Sequence, residues 1–127
     1  PPPSASPSPP PPSLTTAGVV TTLAGSGTRD FADGTGTAAC FNLPYGVAVS
    51  PDGGTVYVTD SFNHRIRKID TSDGLTTTLA GSDTSGSADG TGTAASFNYP
   101  YGVAVSPDGM TVYVADYLNN RIRQVTT

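Results

Sequence analysis

Apolar and polar residues alternate over short runs along most of the chain, and turn-forming residues separate the runs. The first cycle contains four such runs, at 46–50, 55–60, 65–70 and 75–81. Runs this short do not suit a helix, and their valine, threonine and tyrosine content favours strands. The pattern therefore predicts a meander of four short antiparallel strands.

The connections between the runs consist of residues with defined backbone roles. In the turn at 50–53, Pro51 presets φ, the Asp52 carboxylate can bond nearby amides, and Gly53 tolerates a positive φ. The strands carry apolar residues on both faces, so we expect each sheet to be covered on both sides, as the blades of a propeller are.

This cycle occurs twice. The stretch 41–70 returns 56 residues later as 97–126, and the copies extend upstream. When 21–71 is compared with 77–127, 14 of the 51 aligned pairs differ, which leaves 37 identical pairs and no gap. A fixed period of this size indicates a repeat architecture.

The repeated pattern FNxPYGVAVSPDGxTVYVxDxxNxRIR resembles the NHL repeat, a family of β-propeller blades. The motif region lies at Asn63-His64-Arg65-Ile66 and again at Asn119-Asn120-Arg121-Ile122. The resemblance covers about 21–127, and it implies four-stranded blades. It also implies a closed ring of about six blades, whereas this chain carries two.

The fold class expected is all-β, with two NHL-type blades behind a polyproline II segment. Residues 18–24 (GVVTTLA) match 74–80 (GLTTTLA), the fourth strand of the complete unit, and the last strand expected is the third one at 121–125. The strand order is therefore d, a-b-c-d, a-b-c. The first strand then has no partner, and the last sheet has an open edge.

An open sheet edge is a template for another chain. We expect the first strand of one copy to pair with the last strand of the next, in a head-to-tail contact that closes a ring or grows a filament. Three copies would make a six-bladed ring. The alternative is that the two blades belong to a longer array. The predicted subunit interface comprises Val19, Val20, Thr21, Thr22 and Leu23 on one side, and Arg121, Ile122, Arg123, Gln124 and Val125 on the other.

The segment 1–13 is a low-complexity run of proline and serine, separate from the β unit at 14–127, and it favours a polyproline II stalk. Its serine followed by four prolines resembles extensins, the hydroxyproline-rich glycoproteins of plant and green-algal walls. That resemblance implies hydroxylation and O-glycosylation; the alternative is an unmodified stiff linker. The positions concerned are Pro2, Pro3, Ser4, Ser6, Pro7, Ser8, Pro9, Pro10, Pro11, Pro12 and Ser13. The chain begins with proline rather than methionine, which indicates a processed product or part of a longer chain.

Several residues that could form binding sites are better explained by structural roles. The Asp-Gly-Thr-Gly sequences at 33–36 and 89–92 lack the ligand spacing of a calcium loop and the lysine of a phosphate loop. We interpret their glycines as turn residues and their aspartates as local backbone caps. Cys40, the single cysteine, is expected to be small and buried, the alternative being a disulfide to another subunit.

The aspartates that end the second strand of each unit raise the same choice between structure and function. Asp60 and Asp116 are expected to cap the turn that follows, with Arg65 and Arg121 bonding loop carbonyls or the carboxylates. The alternative is a set of ligand contacts on the propeller face. His64, the single histidine, is expected at a surface turn.

Composition and charge narrow the function classes. The net charge is −4 and no basic run is present, which argues against nucleic-acid binding. No apolar stretch approaches the ~20 residues that cross a membrane. With one histidine and no thiolate cluster, no metal-ligand set is expected, and no nucleophile–base pair is apparent. We therefore expect no cofactor and no enzymatic activity.

The sequence favours an extracellular structural protein that is O-glycosylated and assembles with copies of itself at a cell surface, wall or appendage. The first alternative is a protein- or carbohydrate-binding propeller module, either as a closed trimeric ring or as part of a longer propeller. A weaker alternative is a fragment of an enzyme whose metal-bearing blades lie elsewhere.

Overall fold

The computed structural model describes residues 17–127, and strands make up most of their regular structure. Four short 3-10 helices connect the strands, at Gly36–Ala38, Ser61–Asn63, Gly92–Ala94 and Tyr117–Asn119. The all-β class is confirmed. The predicted polyproline segment and its modification sites lie outside the described residues. The strands are β1 (Gly34–Thr35), β2 (Pro44–Val49), β3 (Thr55–Asp60), β4 (Arg65–Asp70), β5 (Leu75–Gly81), β6 (Pro100–Val105), β7 (Thr111–Asp116) and β8 (Arg121–Thr126).

The strands form two antiparallel sheets, one from each repeat. The first sheet has the order β1-β5-β4-β3-β2, and the second has the order β6-β7-β8. We call β2–β5 blade 1 and β6–β8 blade 2; β1 adds two residues to the outer edge of β5. The order a-b-c-d followed by a-b-c is thus confirmed.

The turn between β2 and β3 forms as its residues predict. Gly53 has a φ of 75°, and the Asp52 carboxylate accepts hydrogen bonds from the Ser50 hydroxyl (2.7 Å) and the Gly54 amide (2.8 Å). These bonds, that from Ser50 most of all, lower the pKa of Asp52. The equivalent turn of blade 2 repeats the arrangement around Asp108.

Residues 18–24, predicted as the first strand, are not in a strand in this single chain. A strand requires a neighbouring backbone to pair with, and within one chain residues 18–24 pair with none of the eight strands. Val19, Val20 and Leu23 are consequently exposed. The prediction of a strand here was wrong for the isolated chain.

The core lies between the two blades. Blade 1 contributes Tyr57, Ile66 and Ala80 from one face of its sheet, and blade 2 contributes the valines of the facing strands. The two faces in contact are not equivalent in the repeat. The face of blade 1 that carries Tyr57 and Ile66 packs against the face of blade 2 that carries Val112 and Val114. The buried apolar cluster consists of Tyr57, Ile66, Ala80, Ala95, Phe97, Val112 and Val114.

Candidate functional site

A buried arginine fixes the connector of each blade to its sheet. In blade 1, Arg67 Nη1 donates to Asp60 Oδ2 (2.7 Å) and to the Cys40 carbonyl (2.9 Å), while Nη2 donates to the Ala32 carbonyl (2.6 Å) and to Asp33 Oδ1 (2.9 Å). The side chains of Arg67 and Asp60 are both fully buried. The four hydrogen bonds from Nη1 and Nη2, two of them to carboxylates, offset the cost of burying this charge pair, and among the guanidinium nitrogens only Nε of Arg67 has no partner.

This network decides between the two partners predicted for Arg65, a loop carbonyl or the Asp60 carboxylate, and corrects the prediction for Asp33. Arg65 lies directly opposite Asp60 in the β3–β4 register, but the carboxylate bonds to Arg67, two residues further along the same strand. Arg65 instead donates weakly to the Asn63 carbonyl (3.4 Å) and stacks over Phe31. Asp33 is not a local backbone cap, because its carboxylate binds an arginine from a distant strand.

Blade 2 repeats the network but leaves it open on one side. Arg123 bonds to Asp116 (2.8 Å) and Asp89 (2.9 Å) as its counterpart does in blade 1. Asp89, however, is 98% exposed at its side chain, against 46% for Asp33. In blade 1 a fourth strand lies beside the network, and Thr78 on that strand donates to Asp33 (3.2 Å). Among the described residues, blade 2 has no such strand.

The missing strand leaves an open groove beside β8. The groove has a volume of about 1230 Å³, and Phe97, Arg123 and Val125 are among its lining residues. Ile122 on β8 is 75% exposed, whereas its counterpart Ile66 in blade 1 is 0% exposed. β8 therefore presents an unpaired edge and an uncovered apolar residue.

The outer faces of the two blades are also uncovered, and they are complementary. Blade 2 exposes Tyr113 and Ile122, whose counterparts in blade 1 are buried in the core. Blade 1 exposes Val47 and Val49, whose counterparts in blade 2 pack against the core. Each outer face is thus the repeat equivalent of one half of the interface inside the chain. Apart from Ile122, the residues of these faces were not among the predicted interface residues, although the repeat offset identifies them once one blade interface is known.

The predicted interface residues fall into two separate sets in the single chain. Val19 to Leu23 are all exposed, as are Arg121, Ile122 and Gln124; Val125 is half-buried and Arg123 is buried. The structure does not bring the two sets together within one chain. Arg123 takes part in the internal network described above and also lines the open groove beside β8.

A stack of three tyrosines spans the two blades at one end of the sheets. The rings of Tyr45 and Tyr101 are nearly parallel with centroids 4.2 Å apart, and Tyr101 and Tyr117 are stacked at 4.4 Å. Two rings cannot share one face of a third ring at these distances without overlapping, so Tyr45 and Tyr117 cover opposite faces of Tyr101. This stack was not predicted, although the sequence shows that Tyr117 in blade 2 stands where Ser61 stands in blade 1.

His64 and Cys40 are half-buried rather than fully exposed or fully buried. His64 has a φ of 52° in its turn, and its Nδ1 accepts a hydrogen bond from the Tyr99 amide of blade 2 (3.1 Å). Burial lowers the pKa of His64. Cys40 Sγ lies 3.2 Å from the Ser26 hydroxyl, and the fully buried residue is its neighbour Ala39. The prediction that Cys40 is buried was wrong.

Within 17–127 no group of three or more metal-ligating side chains is clustered. The same part of the chain contains no helix of the length and apolar character that crossing a membrane requires.

Comparison with known proteins agrees with the geometry of the blades. The NHL repeat family matches residues 41–69, which run from Phe41 into β4 of blade 1. The chain is 38% identical over 93 residues to "Protein SUPPRESSOR OF QUENCHING 1, chloroplastic" of Arabidopsis thaliana, and 37% identical over 92 residues to "NHL repeat-containing protein 2" of Homo sapiens. These matches take in 73% and 72% of this chain. The chain spans only 9% and 13% of these two relatives.

A solved structure gives the same result. A protein of unknown function from Bacteroides thetaiotaomicron superposes with a TM-score of 0.74 at 31% identity, over 83% of this chain and 26% of that one. Together with the repeat, the strand order and the family match, this shows that the chain belongs to the NHL-repeat family of β-propeller blades.

Proposed function

We propose that this chain is a self-assembling propeller module, in which residues 18–25 of one copy pair with β8 of another copy and so complete its second blade. The observation that carries the proposal is the complementarity of the uncovered surfaces. Each copy exposes a segment equivalent to a fourth strand, and each copy has a third strand without its neighbour. Pairing an extended segment with an open sheet edge is an established mode of protein association.

The register of such a contact follows from blade 1. There, Ile66 lies opposite Ala80, Arg67 opposite Thr78, and Ile69 opposite Thr76. The same pairing between copies places Ile122 opposite Ala24, Arg123 opposite Thr22, and Val125 opposite Val20. Thr22 then stands where Thr78 stands in blade 1, and it would offer its hydroxyl to the exposed Asp89.

Val20 fits its expected position well. Its counterpart Thr76 is fully buried, and the Thr76 hydroxyl has no hydrogen-bond partner. Valine has the same shape without the hydroxyl, so docking would bury an apolar side chain that is 92% exposed in the free chain. In the same contact, the Val47 face of the incoming copy would cover Tyr113 and Ile122.

The test is self-association of the chain measured by sedimentation velocity over a wide range of concentrations. Val20→Asp should weaken association by on the order of a hundredfold or more, because docking would bury an unpaired carboxylate. It should leave the fold of the free chain unchanged, since Val20 is exposed there.

Val19→Asp is the matched control. Its counterpart Leu75 stays exposed even within the complete blade, so this variant should associate nearly as the unmodified chain does. Equal effects of the two substitutions would contradict the proposed register, and an unmodified chain that stays monomeric at every concentration would contradict the proposed function.

The proposal extends to an extracellular, O-glycosylated structural role, with the proline-rich segment 1–13 as a modified stalk that keeps the assembly soluble. The support for this part is the sequence of the segment alone. Mass spectrometry of the chain from its native source should find hydroxyproline and attached sugars in this segment. If the segment carries no modification, the alternative of an unmodified stiff linker would be favoured.

A second candidate function is a ligand-binding propeller face without catalytic activity. Its support is a set of exposed aromatic and apolar side chains at the ends of β2, β3 and β7, namely Leu43, Tyr45, Phe62, Tyr117 and Leu118. A protein or carbohydrate that binds the monomeric chain and loses affinity for a Tyr45→Ala variant would favour this function over assembly.

A further inference from the structure

Two hydroxyl groups of blade 1 fasten it to blade 2. Thr59 Oγ1 donates to the Tyr101 carbonyl, and Ser61 Oγ donates to the Pro100 carbonyl at 2.5 Å. Both donors are buried, so each bond satisfies a carbonyl that lies away from water. Between them the backbones come so close that Gly46 has no room for a Cβ beside the Tyr101 carbonyl.

The outer side of blade 2 has the same backbone but lacks both donors. Gly102, the counterpart of Gly46, has open space on this side, with Ala115 Cβ as its nearest neighbour at 3.6 Å. A further blade could therefore approach as closely as blade 2 approaches blade 1. The two hydroxyl positions, however, are occupied by Ala115 and Tyr117. Alanine has no donor, and the tyrosine hydroxyl lies at the far end of a ring that stacks on Tyr101.

The Tyr117 ring also covers a surface that an added copy would use. Within the chain, Tyr101 of the second blade stacks on Tyr45 of the first. If an incoming copy packs on blade 2 as blade 2 packs on blade 1, the copy's Tyr45 would stack on the outer face of Tyr101. Tyr117 already lies on that face.

We propose that Tyr117 is a cap on blade 2 that must move aside before a second copy can dock, and that Tyr117 and Ala115 together make the contact between copies weaker than the contact between blades within a chain. This inference rests on the proposed self-assembly and adds a feature of the chain that limits it. The cap keeps the free chain from adding copies at low concentration, while the internal junction stays closed.

The test gives blade 2 the junction residues of blade 1. An Ala115→Thr/Tyr117→Ser variant should associate more tightly than the unmodified chain, with Kd lower by on the order of tenfold to a hundredfold, because two hydrogen bonds are gained and the cap is removed. Circular dichroism and thermal unfolding should be measured first, to check that the variant folds. Tyr117→Phe is the control: it keeps the ring on Tyr101, so its association should equal that of the unmodified chain.

Three results would overturn the inference, and they differ in what they imply for self-assembly. If the unmodified chain associates through Val20 and the double variant is no tighter, the cap is wrong and self-assembly stands. If Tyr117→Phe associates as tightly as the double variant, ring stacking is not the cause. If neither the unmodified chain nor the double variant associates at any concentration, both proposals fail.

Discussion

At the scale of single residues, only one of the two arginines on the third strand of blade 1 forms the buried network. Arg65 and Arg67 lie on the same face of β4, two residues apart. Arg67 holds two aspartates and two carbonyls, whereas Arg65 has one long hydrogen bond and an aromatic contact. The difference predicts very different costs for removing them.

Arg67→Met should lower the free energy of unfolding by about 3–5 kcal/mol, because it leaves the Asp60 carboxylate buried without its partner. Arg65→Met, the control on the same face of the same strand, should cost at most about 1 kcal/mol, the value of an exposed cation–π contact. Urea unfolding followed by circular dichroism measures both. Similar losses for the two variants would mean that the network does not stabilise the blade.

His64 predicts a dependence of stability on pH. Burial lowers its pKa below the ordinary value near 6.5, so the folded chain disfavours the charged form and the unfolded chain does not. The stabilisation is complete above the unfolded pKa and is lost as pH falls from there through the lowered folded pKa.

The unmodified chain should therefore lose stability between neutral pH and the acid side of 6.5 that a His64→Asn variant retains. Asparagine stands at the equivalent turn position in blade 2, where it adopts a φ of 53°, so this substitution suits the backbone. Thermal unfolding across this pH range, compared for the two proteins, measures the effect. Identical pH profiles would show that His64 is not the titrating group.

Sequence reasoning named Arg65 as the arginine that bonds a loop carbonyl or Asp60, whereas the structure pairs Asp60 with Arg67. The strand pattern puts Arg65 and Arg67 on one face, and only the packing of the connector over β4 selects the residue that is covered. For the same reason the pattern could not distinguish Cys40 from Ala39, because burial in a connector has no period. Both features depend on long-range packing, which the sequence pattern does not predict.

At the scale of elements, alternation and turn chemistry predicted the strands of blade 1 well. The bounds of β3, β4 and β5 are those of the predicted runs, and β2 starts two residues before its predicted start, at Pro44. The segment 18–24 has the sequence of a strand but not the structure of one. Local pattern shows what a segment can form, whereas hydrogen bonds to a neighbour decide whether it forms.

This segment supplies a prediction at the same scale. The backbone amides of residues 19–24 should exchange freely with solvent in dilute chain, and those that face β8 should become protected in the assembled state, because pairing would engage them. Hydrogen–deuterium exchange measured by mass spectrometry at low and high concentration tests this. The amides of β4, paired on both sides within the chain, are the control and should not change. Assembly without protection of any amide in 19–24 would point to a different contact.

At the scale of the whole molecule, the central feature is a pair of outer surfaces that match the internal interface. Val47 and Val49 face outward on blade 1, and Tyr113 and Ile122 face outward on blade 2. Because these surfaces are different from each other, the proposed contact between copies would be head-to-tail and would either close into a ring or continue as a filament. Suppose that one copy is related to the next by the same rotation and translation that relate blade 1 to blade 2. A ring that closes at six blades, as the family resemblance implies, would then contain three copies.

The most direct test of head-to-tail assembly is to mix two variants that each lack one end. Val20→Asp should block donation of the segment, and Ile122→Asp should block its acceptance, because Ile122 is exposed in the free chain and its counterpart Ile66 is fully buried. Each variant alone should sediment as a monomer. The mixture should form a dimer and nothing larger, since only one productive contact remains. A mixture that stays monomeric while the unmodified chain assembles, or a single variant that still forms larger species, would contradict the account.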